Sequence, residues 1–201
     1  MAVNFVFIVV VLILSVIVHE VSHGYMADHL GDPTARLAGR LTLNPLPHID
    51  LFGSILVPAL TWFTGGFIFG WAKPVPYNPY NLGGSRFAEA KVAVAGPASN
   101  IILALLAGVA VRLTGASGAL LDILSIIVMV NIVLALFNLI PIPPLDGSKI
   151  FFAFLPHQSE RVLSVLERYG LFFVLLFVFF LWRFVAPLVG VLFELLTGTP
   201  L

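Results

Sequence analysis

Cysteine is absent from the chain. Disulfides and thiolate metal sites are therefore excluded, and any transition metal must be held by His, Asp or Glu. Charge is nearly as scarce: 10% of the 201 residues are Asp, Glu, Lys or Arg, and the ten basic and ten acidic side chains cancel. No net field remains to gather a polyanion, which sets nucleic-acid binding aside. No internal repeat or low-complexity tail is visible. What abounds is apolar: 60% of residues are hydrophobic and the mean hydropathy is +1.07, outside the range of soluble domains. The composition is that of an integral membrane protein whose partner is the lipid bilayer, and the length suits one domain, 1–201. The first apolar stretch has no basic n-region and no small-residue cleavage site before HEVSH, so it reads as a retained span and not as a signal peptide.

Apolar runs cover residues 3–18, 51–70, 92–111, 120–140 and 170–196. A helix needs about 20 residues to cross the hydrocarbon core, so the first run spans only if its helix continues through HEVSH, placing that segment within the membrane. The last run is interrupted by Arg183 and Pro187 and suits one span plus a shorter interfacial helix. The run 51–70 is punctuated by Gly53, Pro58, Gly65, Gly66 and Gly70. If it dips in and returns, Arg36, Arg40, Lys73, Arg86, Lys91, Lys149, Arg161 and Arg168 share one side and Arg112 lies alone on the other. Positive-inside bias favours that re-entrant reading, with the N-terminus outside. The polar stretches ARLAGRLTLNPLPHID and WAKPVPYNPYNLGGSRF carry short β-prone pieces bounded by proline, which suit edge strands or extended loops. The expected fold is an all-α polytopic membrane protein with about four to five transmembrane helices, a re-entrant segment, and short β or extended pieces between the first and second full spans.

His19, Glu20 and His23 spell H-E-x-x-H. On a helix four residues is just over one turn, so both imidazoles project from one face and can bind one metal, with Glu20 placed to reach activated water. A five-residue pattern can arise by chance. At the end of an apolar span, however, ionisable groups are costly and are kept mainly where they work. Catalytic zinc generally takes three protein ligands and leaves a position open, so a third ligand is needed. Asp28, His29, Asp32, His48, Asp50, Asp122 and Asp146 are candidates. Asp146 stands out in NLIPIPPLDG, where three prolines forbid continued helix and hold the chain extended at a span's end. The competing reading is a turn in which Asp146-Gly147 merely caps the next helix.

HEVSH in the first span, GPASN (residues 96–100) opening a later one and NLIPIPPLDG (residues 138–147) closing another together resemble the three signatures of the site-2 protease family of intramembrane zinc metalloproteases. GRLTLNPLPHID followed by GWAKPVPYNP resembles its short bacterial branch, and no stretch corresponds to the PDZ or CBS domains of other branches. The resemblance implies His19, His23 and Asp146 as ligands of one Zn2+ and Glu20 as the catalytic acid/base. The bacterial branch implies a bacterial cell membrane, and the charge count expects the active site toward the cytoplasmic side. It requires the HEVSH helix and the helix ending near Ile140 to run in the same direction. Runs 92–111 and 120–140 supply the two crossings needed, in agreement with the charge count.

Asn138, within the third motif, is expected to hold substrate backbone or the developing oxyanion. Asn100 suits helix packing first and substrate contact second, and His48 and Asp50 are further candidates for lining the site. The implied reaction is hydrolysis of peptide bonds in or near transmembrane segments of membrane-protein substrates. An unwound substrate would be clamped by strand addition on residues 41–44 or 75–78. Two other readings remain open here: a metal transporter, which predicts repeated ligand sets along a path, and a scaffold with a structural zinc, which leaves Glu20 without a role.

Overall fold

The computed structural model describes residues 2–65, 72–84, 87–155, 166 and 168–200. Four helices among them are long and apolar enough to cross a membrane: Val6–His29, Ala88–Thr114, Gly118–Asn138 and Phe172–Thr197. The first lies within α1 (Ala2–His29), a 28-residue helix of about 42 Å at 1.5 Å per residue. That exceeds the roughly 30 Å hydrocarbon core, so the helix carries HEVSH continuously out of the apolar run, as its length demanded.

Between the first two spans the chain folds into short helical pieces. α2 (Thr34–Leu37) is a single turn, Leu46–His48 is a 3-10 turn, and a six-residue π-helical stretch Leu51–Leu56 leads into α3 (Val57–Gly65). Among the described residues no strand forms, and residues 72–78 take up no regular structure. The β-prone pieces expected in ARLAGRLTLN are thus overridden locally: Asp32 accepts hydrogen bonds from Thr34 N and Oγ1 at 3.2 and 2.5 Å, an Asx turn that launches α2. Among the described residues, Leu51–Leu56 and α3 form a helical stretch from 51 to 65. Residues 66–70 of the expected re-entrant run lie outside the described residues.

α4 (Ala88–Thr114) is the central helix and packs on α1, on α5 (Gly118–Asn138), on α6 (Asp146–Ala153) and on α8 (Trp182–Thr197). Its buried face reads Ala93, Gly96, Pro97, Asn100, Ala104, Ala107, Gly108 and Val111, small residues at helical spacing. In lipid, helices gain little from hydrophobic burial against one another and associate through close van der Waals contact, which small side chains permit. Ala104 and Ala107 accordingly meet Val128, Ile132, Val189 and Phe193 in the main apolar cluster. GPASN does not open this span as expected. Helix begins two turns earlier, at Ala88, and Pro97 sits inside it. α7 (Gly170–Leu176), a π-helical turn Phe177–Leu181 and α8 run on as the final span, with Arg183 and Pro187 within it and no separate interfacial helix.

Candidate metal centre

α1 and α4 pair antiparallel: Nδ1 of His23 meets the Val92 carbonyl at 2.7 Å, and Nδ1 of His19 meets Oδ1 of Asn100 at 2.6 Å. The chain then returns down α5, parallel to α1, so the ends of α1 and α5 share one end of the bundle. Pro141, Pro143 and Pro144 lack N–H groups, and the two remaining donors of that segment bond locally, Ile142 N to Ile140 O (2.8 Å) and Leu145 N to Ile142 O (2.9 Å). The expected extended segment is therefore a tight turn. It delivers Asp146 as the first residue of α6, whose side chain turns toward α1 instead of capping its own helix. Gly147 is required there, because a Cβ would overlap the Leu139 and Ile140 carbonyls.

Three ligand atoms converge. Asp146 Oδ2 lies 3.1 Å from His19 Nε2 and 3.2 Å from His23 Nε2, and the two Nε2 atoms are 3.0 Å apart. Tetrahedral ligation at roughly 2.0–2.2 Å would separate ligand atoms by about 3.3–3.5 Å, so the set closes on one ion with shifts of a few tenths of an ångström. Each Nδ1 is engaged away from the cluster, the usual way a protein aims Nε2 at a metal. Among the described residues this is the one group of His and acidic side chains able to hold a metal.

Glu20, half-buried beside the cluster, accepts a 2.9 Å hydrogen bond at Oε2 from Val75 N–H. That donor belongs to a segment fastened along its length. Lys73 N–H donates to His48 O (2.9 Å), Arg40 donates to the Lys73 and Pro74 carbonyls (2.8 and 3.3 Å), and Lys149 Nζ sits 5.0 Å from the centre of the Tyr77 ring. Asn78 N–H and Asn81 Nδ2 bond to Asp32, which is fully buried. Burial would raise the Asp32 carboxyl, and its donors outweigh that and lower it. Pro74 and Pro76 have no N–H, so with Val75 and Asn78 committed this segment has few donors left for an added strand.

The remaining candidates are placed as follows. Asn138 is half-buried at the end of α5, its Nδ2 donating to Leu134 O at 2.9 Å. Asn100 is fully buried, with Nδ2 on Asn131 Oδ1 (2.8 Å) and Ser15 O (3.4 Å). His48 is buried, with Nε2 on Thr42 O (2.9 Å), and Asp50 Oδ1 caps the following helical turn through Gly53 N (2.7 Å). Neither His48 nor Asp50 joins the convergent group.

Gly96 was named as part of a motif, but its spatial role was not legible. A Cβ there would lie 2.6 Å from Cε1 and Nε2 of His19 and closer still to Nε2 of His23, so its lack of a side chain makes room for both imidazoles. Gly96→Ala should weaken zinc binding about 10- to 100-fold, the range for disturbing what orients a ligand. Gly190→Ala, where a Cβ meets nothing within 4 Å, should leave it unchanged. Chelator competition on the purified variants measures both, and equal affinities would mean the helices part without cost.

Comparison with known proteins agrees with this geometry. The sequence pattern of the family described as Peptidase family M50 matches residues 114–181. The chain is 40% identical over 191 residues to "Putative zinc metalloprotease YwhC" of Bacillus subtilis (strain 168), covering 90% of this chain and 81% of that protein. It is 28% identical over 178 residues to "Putative zinc metalloprotease Rip2" of Mycolicibacterium smegmatis, covering 85% of this chain and 65% of the relative. Identity to the protein of the same name in Mycobacterium tuberculosis (strain H37Rv) is 27% over 173 residues, with 85% and 66% covered. No solved structure matches the chain.

Proposed function

Because this chain belongs to peptidase family M50, the site-2 protease family, we propose that it cuts membrane-protein substrates at peptide bonds in or beside their transmembrane segments. It is an integral membrane zinc metalloprotease, and the observation that carries the finer reading is the convergence of His19 Nε2, His23 Nε2 and Asp146 Oδ2 next to Glu20. In this reading those three side chains hold the zinc ion, which supplies Lewis-acid activation of water and of the scissile carbonyl. Glu20 takes the proton from the attacking water and delivers it to the leaving amine. Val75 N–H holds one oxygen of that carboxylate, which leaves the other to face the water. Asn138 steadies the substrate carbonyl through the second hydrogen of its amide nitrogen, the first being held by the Leu134 carbonyl.

The lipid bilayer surrounds the exposed apolar faces of the four spans, and the metal-bearing end faces the cytoplasm. With residues 51–70 read as a re-entrant segment, Arg112 is the lone basic residue at the opposite end. The test is reconstitution into vesicles with single-span substrate proteins, reading the cut site by mass spectrometry. Cleavage within the span should stop on chelation and return with zinc. Zinc-dependent cleavage confined to soluble peptides would overturn the intramembrane reading. In the same vesicles an impermeant thiol reagent should reach cysteines placed at Ser159 and Ser117 from opposite sides, Ser159 from the cytoplasmic one. The reverse pattern would invert the orientation.

A further inference from the structure

Behind His19 lies a chain of buried polar side chains that the reaction does not use. Asn131 is fully buried in α5, and its Nδ2 donates both hydrogens, one to Ile127 O and one to Ser15 Oγ, each at 2.9 Å. Its Oδ1 accepts from Asn100 Nδ2 at 2.8 Å, and Asn100 Oδ1 lies 2.6 Å from His19 Nδ1. Three helices contribute, α1 through Ser15 and His19, α4 through Asn100 and α5 through Asn131.

The order of donors is forced. Ile127 O is a carbonyl and can only accept, so it fixes the amide nitrogen of Asn131 toward itself and the oxygen toward Asn100. That oxygen, together with the Ser15 carbonyl, fixes the Asn100 nitrogen toward them and the Asn100 oxygen toward His19. An acceptor at 2.6 Å requires the proton on Nδ1 of His19, which leaves the Nε2 lone pair facing Asp146 and His23. Turning either amide over would set oxygen against oxygen between fully buried groups, where an unpaired polar group costs on the order of 1–3 kcal/mol.

We propose that Asn131, two side chains removed from the metal, is a positioning residue that sets the tautomer of His19 through Asn100 and so presets Nε2 as a zinc ligand. This rests on the reading of His19 as a ligand. His23 provides an internal control, because its Nδ1 is held by a backbone carbonyl, Val92 O, that side-chain replacement leaves in place.

The experiment uses full-length protein labelled with 15N-histidine in detergent micelles, with zinc removed, and reads the tautomer of each ring by NMR, alongside zinc affinity by chelator competition. In the wild type both His19 and His23 should carry the proton on Nδ1. Asn131→Leu should move His19 to a mixture of tautomers and weaken zinc about tenfold, the lower end of the range for outer-shell changes, while the His23 signal stays put. A wild-type His19 protonated on Nε2 overturns the proposal without any variant. So does an Asn131→Leu protein with unchanged His19 tautomer and zinc affinity. If Asn131→Leu fails to fold, the His23 signal is lost too and the wild-type tautomer decides. His19→Ala separates the underlying reading: zinc retained at wild-type affinity there would refute His19 as a ligand, whatever the tautomer.

Discussion

Glu20→Gln should abolish peptide hydrolysis while zinc remains near one per chain. The substitution keeps the shape of the side chain and an oxygen to accept from Val75 N–H, so the fastened segment 72–78 has no reason to lift. What it removes is the ability to take a proton from water and return it to the leaving amine. Loss of a general base costs typically 10²- to 10⁴-fold in rate. The metal should be unaffected because Glu20 is outside the convergent group. Rate is measured on a single-span substrate in vesicles and zinc by elemental analysis of the same preparation. Retained proteolysis would remove Glu20 from the mechanism, and coupled loss of zinc would make it part of the metal site.

Asp146→Ala should have an effect of comparable size by a different route, losing zinc and activity together. Two imidazoles one helical turn apart remain, and a two-ligand site is a poor one for zinc. The affinity loss should exceed the roughly hundredfold upper end seen when a residue behind a ligand is changed. His48→Ala and Asp50→Ala are the comparison pair: their bonds are to Thr42 O and Gly53 N, so zinc content should be kept. Full occupancy in Asp146→Ala with loss in either of the other two would move the third ligand to the segment between α2 and α3.

Some of this was legible in the chain before any folding. Solvent, class of fold and ligand chemistry followed from composition, because a chain with 60% hydrophobic residues and no cysteine has few other options. That His19 and His23 share a face followed from helical periodicity, a property of neighbouring residues. Pairings across distant residues were not legible. Ser15, His19, Asn100 and Asn131 meet because small residues along α4 set the depth and register at which three helices pack, and no local pattern records register. The same holds for Asp146. Prolines announced that helix would stop, but whether the next residues ran extended or turned depended on where Ile142 and Leu145 could place their N–H groups beside the end of α5. The sequence by itself determined the chemistry available to the site. How Asp146, singled out in the sequence, is carried to the two imidazoles, which glycine leaves room for them and which asparagines lie behind them were decided only by tertiary packing, since buried polar groups take their partners from whatever helix lies against them.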